Sequence, residues 1–537
     1  MRQGNKLSHE NIGRRLTTFA NWIVRVTGAG IFLVLAWYSF RYTQYMDPLG
    51  KEIPVNVPDS MKRNILFLGL AVALMVGLYF LETRLNDRVR RWLVTGFVIL
   101  TTLWLGGCGL WWITALDRTP VGDQAFIYGG ASYFMEGSYF YLEPRGYCNI
   151  YPHQLGLIFL TEILFRLVGA YNYFAFQLIC VVLAMASCVL GFLLVHEMTE
   201  RMSVKVAYCL LMLGCLPMIF YSGWVYGEIP SICFSLLTAY LLLRYIRSGH
   251  YGWLIGMVLA MTMAVVVRKN SLIILIALCL VGGVWALRKM DKKLLVALSV
   301  AAILPGLAYS GIYKMYELRS GMEHSAGVSP ISYIAMGMQE NSGKYGWFST
   351  YCKETYLEND CNTEVAAEIS KQDIKNRLQE FVANPGYAWT FYREKLLSQW
   401  NEPLYQSLYF SAQYQEGKEP EPGSLVSRCN SDYFVGILGI CDRLHFILYI
   451  GMLCYFVFAV KKDSNILQHM LAVAIIGGFF FSILWEAKAR YIFPYYVIMF
   501  PLSSVGYWQA IHTIKEFISR RRRVEKEDNV IPFERVA

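Results

Sequence analysis

The sequence predicts an all-α polytopic membrane protein. Hydrophobic residues make up 55% of its 537 residues and charged residues only 16%, whereas soluble domains carry about 25% charged residues. Apolar runs of roughly 18 residues or more, long enough to cross the hydrocarbon of a bilayer, recur along the chain. The lipid bilayer is therefore the expected surroundings. The net charge of +10 fits basic cytoplasmic loops, so we expect no binding to nucleic acid.

Twelve segments are apolar and long enough to be predicted as membrane-spanning helices. The first lacks a convincing small-residue cleavage site, which favours an anchored helix over a cleaved signal peptide. In chain order the predicted spans are 19–40, 64–82, 92–116, 172–195, 205–221, 229–246, 252–268, 271–287, 294–314, 443–460, 466–485 and 491–511.

A further apolar stretch, 154–168, is predicted to lie along the membrane surface. It has only fifteen residues and contains Glu162 and Arg166, and charges at the bilayer centre are costly. If it crossed, the basic clusters of the later connections would mostly face outward, against the positive-inside rule. With the N-terminus inside, the rule places both termini in the cytoplasm, below a plasma or inner membrane. Labelling from outside of a cysteine at Ser138, and not of one at Ser203, would support this topology, and the reverse result would overturn it.

This topology divides the chain into six regions. The region 315–442 is the only one with the composition of a soluble domain, and within it Asn384 followed by Pro385 predicts a helix start. The regions are the N-terminal spans 1–116, a first outer loop with juxtamembrane helices 117–171, a transmembrane core 172–314, an extracytoplasmic loop domain 315–442, the C-terminal spans 443–514 and a basic cytoplasmic tail 515–537.

The predicted helix after Pro385 has an apolar face. That face would suit contact with the membrane or with a neighbouring domain. Its members are Ala388, Phe391, Tyr392, Leu396 and Trp400.

Five cysteines fall on the predicted outer side, and they are Cys148, Cys352, Cys361, Cys429 and Cys441. Cys352 with Cys361, and Cys429 with Cys441, are expected to form disulfides if the outer compartment is oxidising. Their spacing does not resemble a zinc site.

Two carboxylates are the first candidates for chemistry. Asp123 opens a short helix in the first outer loop, and the alternative is that it only caps that helix. Glu228 stands at the outer mouth of a span, among aromatic residues and just before Pro230. Burial in such a place can activate a carboxylate, while the alternative is a partner for the helix dipole.

Two cationic clusters lie on the same side, where orientation in the membrane does not need them. They are Arg268 with Lys269, and Arg490 in the sequence from Glu486 to Pro494. A lipid phosphate is the natural partner for such cations. The alternatives are snorkelling for the first cluster and an ion pair between Arg490 and Glu486 for the second.

Together these groups favour transfer of a group from a lipid phosphate carrier. Cations stabilise the charge that develops on a departing phosphate, and a carboxylate takes the proton from an incoming hydroxyl. Helices distant in sequence would hold donor and acceptor in line.

The order of these features resembles the type C membrane glycosyltransferase superfamily (GT-C), especially its protein O-mannosyltransferases and the aminoarabinose transferase of lipid A. The resemblance covers roughly residues 90–290 and the last helices. The motifs that carry it are Gly122-Asp123-Gln124 with Tyr128 and Ala131, Tyr151-Pro152, Glu228-Ile-Pro230, Arg268-Lys269 and Arg490-Tyr491-Ile-Phe-Pro494.

The resemblance implies an inverting glycosyltransferase that uses a polyprenyl-phosphate-linked sugar donor and an extracytoplasmic glycan, lipid or protein acceptor. No Asp-x-Asp pair stands near these groups, so we expect no metal and no other cofactor, with a divalent metal as the less favoured alternative. The implied roles are general base for Asp123, assistance in catalysis for Glu228, donor phosphate binding for Arg268, Lys269 and Arg490, and substrate binding for Gln124, Tyr128, Tyr151 and Tyr491.

Other functions compete with this one. A transporter or flippase of lipid-linked glycans would be expected to show internal repeats and ionisable groups near the bilayer midplane, whereas these groups sit at helix ends and we find no convincing repeat. A glycan polymerase or ligase also uses polyprenyl-linked substrates and would need the same carboxylates and cations, so it differs mainly in the size of the donor. A membrane scaffold gives no reason for outward cations beside carboxylates.

Overall fold

The protein, described here from a computed structural model, is built mainly of helices. The structure describes residues 2–48, 52–117, 119–323, 325–341, 343–411, 413–414 and 417–528. Within these ranges, nine helices are long and apolar enough to cross a membrane, or ten if one bent pair forms a single span. The chain is therefore a multi-pass helical membrane protein.

The N-terminal part contains three long helices and a hairpin that the sequence did not predict. The hairpin is antiparallel and pairs Thr43 with Val57. It is tied to the rest of the chain because the Thr43 hydroxyl donates to Asp442 at 2.9 Å and the Asn401 amide donates to Tyr42 O at 2.6 Å. The elements are α1 (Arg2–Arg41), β1 (Tyr42–Met46), β2 (Pro54–Pro58), α2 (Met61–Arg84) and α3 (Asp87–Leu116).

The next part, predicted as the first outer loop, contains three shorter helices: α4 (Asp123–Met135), α5 (Tyr147–Ile150) and α6 (Leu155–Val168). The helix predicted at 154–168 is thus present as α6. Its Glu162 is buried and contacts Arg166 at 2.6 Å and Arg319 at 2.8 Å. The charges that argued against a crossing are therefore neutralised within the protein.

Seven helices follow: α7 (Tyr173–Met198), α8 (Met202–Leu213), α9 (Leu216–Phe220), α10 (Glu228–Ser248), α11 (Gly252–Val267), α12 (Leu272–Lys289) and α13 (Lys292–Ser320). The predicted span 205–221 is broken, because the chain bends by 55° between α8 and α9. Within its most apolar stretch, α10 is 67% buried and α2 only 17%. The former is central to the bundle, packed between α7 and α11, and the latter is peripheral.

The region predicted as a loop domain is largely helical. Its elements are α14 (Pro330–Met336), β3 (Glu340–Asn341), β4 (Lys344–Tyr345), α15 (Tyr351–Glu358), α16 (Thr363–Ala383), α17 (Pro385–Trp400), α18 (Ser407–Ser411) and α19 (Leu425–Cys429). The predicted helix start is confirmed, since the Asn384 side chain accepts from Tyr387 N at 3.1 Å. The predicted apolar face of α17 includes buried Phe391 and Trp400, and the indole of Trp400 donates to Ser482 at 2.9 Å. This face therefore packs on neighbouring protein.

Three helices end the described chain: α20 (Phe434–Cys454), α21 (Met470–Leu484) and α22 (Phe493–Asp528). The start predicted for the span 443–460 is wrong, because α20 begins at Phe434 and carries Asp442, fully buried, in its interior. Asp442 is tolerated there because Arg443 lies 3.2 Å away. Helix α22 continues through the predicted tail 515–537 as far as Asp528.

The predicted disulfides are wrong. All thirteen cysteines are free. Cys441 lies inside α20 and is fully buried, and the Cys352 thiol contacts the sulfur of Met336 at 3.7 Å. The span predicted at 443–460 leaves Cys441 outside the membrane, whereas the structure places it within α20, and Cys352 lies within α15.

The structure shows which side chains are accessible to a label that tests the predicted topology. Ser203 is buried and its hydroxyl bonds to Glu82 at 2.5 Å, so a cysteine there would be shielded from either side. Ser138 and Ser248 are exposed and lie on opposite sides in the predicted topology. We expect a membrane-impermeant maleimide to label Ser138→Cys in intact cells and Ser248→Cys only after permeabilisation. Labelling in the reverse order would overturn the predicted orientation.

Candidate active site

Asp123 is the first residue of α4 and forms an ion pair across the molecule. The preceding Gly122 has a φ of 59°, in the left-handed region that favours glycine, and no side chain caps the helix. The Asp123 carboxylate instead contacts Nη2 of Arg490 at 3.2 Å. Helix capping, the alternative for Asp123, is therefore wrong. Its side chain stays 42% exposed, so the carboxylate is open to an incoming molecule.

Arg490 lies in the turn between α21 and α22 and is almost completely buried, with 5% of its side chain exposed. Its guanidinium lies 4.9 Å from the ring centre of Tyr226, 5.2 Å from that of Phe410 and 5.5 Å from that of Tyr491. Such ring faces attract cations. Within the described residues, Nε and Nη1 of Arg490 have no hydrogen-bond partner. Buried donors normally have partners, so this group is suited to receive an anion.

A second ion pair joins Glu228 to Arg268. Glu228 opens α10 directly after Gly227, whose φ is 93°. The carboxylate is fully buried and contacts the Arg268 guanidinium, which is 9% exposed. In this structure the Glu228 carboxylate is the buried ion-pair partner of Arg268, and the catalytic role predicted for it stays a prediction.

Tyr491 connects the two ion pairs. Its ring lies 5.7 Å from the Arg268 guanidinium and 5.5 Å from that of Arg490. Its hydroxyl donates to Glu486, and burial raises the pKa of that carboxyl. The alternative ion pair between Arg490 and Glu486 is therefore not formed. Glu486 instead accepts from Tyr491, whose ring contacts both guanidinium groups.

A third cation next to this turn has its own partner. Lys488 Nζ contacts the Glu52 carboxylate at 3.0 Å, and the Gln406 amide donates to the same oxygen at 2.7 Å. Burial raises the pKa of Glu52, but Lys488, Gln406 and Arg490 together bring it below its usual value. Lys488 therefore has a carboxylate partner of its own, whereas Nε and Nη1 of Arg490 have no hydrogen-bond partner among the described residues.

The region between α13 and α20 holds this turn from outside the bundle. Ala487 N donates to Gly346 O at 2.7 Å, and the buried Lys395 ammonium donates to Ile483 O at 2.9 Å and to Gly337 O. Burial lowers the pKa of Lys395 to about 7, with Glu486 acting in the opposite direction. The turn that carries Arg490 is therefore fixed at its beginning and in its middle.

Glu402 shapes the loop that supports Arg490. The buried carboxyl accepts from Gln406 N at 2.6 Å and from Leu404 N at 3.1 Å, which closes a turn where Tyr405 and Gln406 have φ values of 51° and 62°. The Gln406 side-chain oxygen then accepts from Arg490 N at 3.2 Å. Burial raises the pKa of Glu402 to about 8.

Lys269 and His153 stand beside these pairs. Lys269 is exposed, and its Nζ lies 5.0 Å from the ring centre of Tyr309. Burial and the charge of Lys269 lower the pKa of His153 to about 3, although Asp123 opposes this. His153 is therefore neutral near pH 7, and Lys269 is the more accessible of the predicted phosphate-binding cations.

The remaining predicted residues differ in their places. Gln124 is buried, and its oxygen accepts from Tyr173 and from Val225 N at 3.1 Å, so it stabilises the loop before Glu228.

Tyr128 packs in an aromatic cluster, 5.5 Å from Phe165, without a described contact to either ion pair. Tyr151 packs on Tyr147 at 5.4 Å. Its pKa is raised by burial and by nearby Cys352, Asp123 and Glu486, which places it by the site.

Several residues at the site were not predicted. Tyr226 accepts from the Gln154 amide at 2.6 Å and lies 3.3 Å from the Tyr147 hydroxyl. Phe410 and Gln406 come from a region whose function the sequence left open. Only Tyr226 carried a signal, as one of the aromatic residues next to Glu228.

The described residues contain no group of three or more His, Cys, Asp or Glu side chains that could hold a metal ion. The expectation that the protein needs no metal stays a prediction.

Comparison with known proteins identifies a family. A family profile described as conserved hypothetical integral membrane protein matches residues 65–511, which is most of the chain. No curated protein and no solved structure matches it.

The buried pair of Glu228 and Arg268 gives a prediction about stability. Glu228→Gln leaves the Arg268 charge buried without a carboxylate, and breaking a buried ion pair costs about 3–5 kcal/mol. We expect a clearly lower midpoint of thermal unfolding for the purified protein, and recovery of most of it in Glu228→Leu combined with Arg268→Met.

Glu368→Gln is the matched control, because its pair with Lys371 is exposed and such pairs contribute about 0–1 kcal/mol. Equal effects of the two glutamine variants would contradict the role assigned to Glu228.

Glu402 gives a prediction about pH. Its pKa is about 8 in the folded protein and 4.5 as the reference value. Its stabilising contribution is thus complete below pH 4.5 and is lost as the pH rises through 8. We expect the difference in unfolding midpoint between the unmodified protein and Glu402→Gln to shrink between about pH 5 and pH 8. Lys395 titrates in the same pH range in both proteins, so its effect cancels in the difference between their unfolding midpoints. Parallel curves would show that Glu402 does not titrate in this range.

Proposed function

The chain belongs to the family of conserved hypothetical integral membrane proteins, and we propose that it is an inverting membrane glycosyltransferase. In this proposal it transfers a sugar from a polyprenyl-phosphate carrier to an acceptor hydroxyl at the outer face of a cell membrane. The ion pair of Asp123 and Arg490 carries the proposal, because it joins an accessible carboxylate to a buried guanidinium with unused donors.

Arg490 is suited to hold the donor phosphate. A guanidinium matches the geometry of phosphate oxygens, and Nε and Nη1 of Arg490 lack partners within the described residues. A bound phosphate competes with the Asp123 carboxylate for the same cation. Donor binding thereby weakens the resting ion pair and frees Asp123 to accept a proton.

The proposed transfer proceeds in one displacement. The acceptor oxygen attacks the anomeric carbon of the donor sugar and forms the new glycosidic bond. The bond between that carbon and the phosphate oxygen breaks, and its electron pair leaves with the lipid phosphate. Asp123 takes the proton of the acceptor hydroxyl, while Arg490 stabilises the charge on the leaving phosphate.

The other charged groups have supporting roles in this proposal. Arg268 is already neutralised by Glu228, so its contribution is to orient Tyr491 and, through that ring, Arg490. Lys269 is exposed and adds positive charge where a lipid phosphate would approach. In this proposal Arg268, Lys269 and Arg490 therefore have different roles, and Arg490 is the main phosphate ligand.

The proposed orientation follows from the charges outside the spans. The connection between α12 and α13 carries Arg288, Lys289, Lys292 and Lys293, and cytoplasmic connections are enriched in such residues. Placing this connection inside puts the starts of α4, α10 and α22 outside, together with the ion pairs. Both termini are then cytoplasmic.

Replacement of the proposed base tests the function. We expect Asp123→Asn to reduce transfer of radiolabelled sugar from a panel of undecaprenyl-phosphate-linked hexoses to cell-envelope acceptors by about 10²–10⁴-fold. Arg490→Lys keeps the charge but loses the fork of donors, so it should lower transfer as well. Asp117→Asn, at an exposed carboxylate of the same loop, should leave transfer unchanged.

Two results would contradict the proposal. Full activity of Asp123→Asn would remove this carboxylate from the mechanism. Movement of the labelled lipid across the bilayer of proteoliposomes, without formation of a new glycosidic bond, would assign the chain to transport.

A further inference from the structure

Phe126 presents an exposed aromatic face next to the candidate active site. Its side chain is 40% exposed, although one face stacks on Tyr147 with 4.4 Å between ring centres and 5° between ring planes. Tyr141 lies 6.0 Å away at a tilt. The ring is therefore held in place from behind, and the exposed area belongs to its other side and its edges.

This ring is joined to the charged groups by a short path. Phe126 follows Asp123 by three residues on α4, and side chains at that spacing are neighbours on one side of a helix. Behind it, the Tyr147 hydroxyl lies 3.3 Å from that of Tyr226, whose ring carries Arg490 at 4.9 Å. Because Asp123 lies one helical turn before Phe126, a molecule on the exposed side of Phe126 would have Asp123 as its neighbour on α4.

An aromatic face beside a carboxylate is chemically suited to a sugar ring. The face of an aromatic ring carries partial negative charge and attracts the polarised C–H bonds on the apolar side of a pyranose. The hydroxyls of the same pyranose donate to a carboxylate. We propose that Phe126 and Asp123 form the subsite for a pyranose ring of the acceptor, which makes the acceptor a glycan or a glycosylated molecule. This inference rests on the proposed function.

The arrangement assigns the subsite to the acceptor rather than to the donor. Arg490, the proposed phosphate ligand, contacts Asp123 on one side, and no described contact joins Phe126 to Arg490. Phe126 lies one turn further along α4. The donor phosphate and the aromatic face therefore flank the base, as transfer between two bound molecules requires.

Saturation-transfer difference NMR tests the subsite without turnover. The full-length protein in lipid nanodiscs, free of sugar-based detergent, is mixed with a panel of methyl hexopyranosides, and glycerol serves as a probe with hydroxyls but no ring. We expect saturation of the C–H protons of at least one hexopyranoside and none of glycerol. Phe126→Trp should keep the signal. Phe126→Leu and Phe126→Met should weaken binding about threefold to tenfold, as expected for one aromatic contact.

The leucine variant separates a sugar subsite from contact with lipid, because leucine keeps the apolar surface and loses the ring. Phe174→Leu is the matched control, since Phe174 is a 45% exposed aromatic residue at the start of α7 outside the site. It should behave like the unmodified protein.

The outcomes distinguish this inference from the proposed function. Absence of saturation transfer from every hexopyranoside, or equal binding by the unmodified protein and both aliphatic variants, overturns the subsite even if sugar transfer from the lipid donor is observed. Ring-dependent binding in a protein that forms no glycosidic bond keeps Phe126 as part of a sugar-binding site, but it overturns the transferase and the assignment of that site to the acceptor.

Discussion

The rest of the site depends on how the chain accommodates the buried charge of Arg490. An unpaired charge away from water is very costly, and the protein meets this cost with three ring faces and one carboxylate. That carboxylate, Asp123, is 367 residues away in sequence. The pairing brings the start of α4 to the turn before α22, and Tyr491 extends the arrangement to Arg268 and Glu228. Among the described residues, Nε and Nη1 of Arg490 still have no hydrogen-bond partner, so the ion pair with Asp123 uses only part of the guanidinium.

The region between α13 and α20 has a structural purpose in this arrangement. Its contacts converge on the turn from Ile483 to Arg490 through the Lys395 ammonium, the backbone of Gly346 and the side chain of Gln406. Such supporting contacts fix the position of Arg490, because the precision of a site depends on the residues behind it. The site is therefore assembled from the bundle on one side and from this helical region on the other.

The sequence predicted the fold class and the segments that meet at the site, because apolar length and charge sidedness are strong local signals. The sequence could not predict which charged side chains pair with each other. Arg490 and Glu486 are four residues apart and looked like a pair, but Glu486 bonds to Tyr491 while Arg490 reaches Asp123, and only the packed structure decides between them. Two other features were not predicted. The break between α8 and α9 was missed because the sequence is hydrophobic on both sides of it. The hairpin at Tyr42–Pro58 was missed because its strands have only five residues each, which is too short for a clear alternating pattern.

Close approach of backbones at two glycines has a consequence for protein engineering. A Cβ atom at Gly346 would lie 2.4 Å from Gly337 O, and one at Gly337 would lie 2.7 Å from the carbonyl group of Trp485. The interface between the helical region and the turn therefore depends on a close main-chain fit as well as on the side chains of Lys395 and Gln406. A chimera that grafts this region from a relative should retain both glycines together with these two side chains if the region is to keep its contacts with the turn.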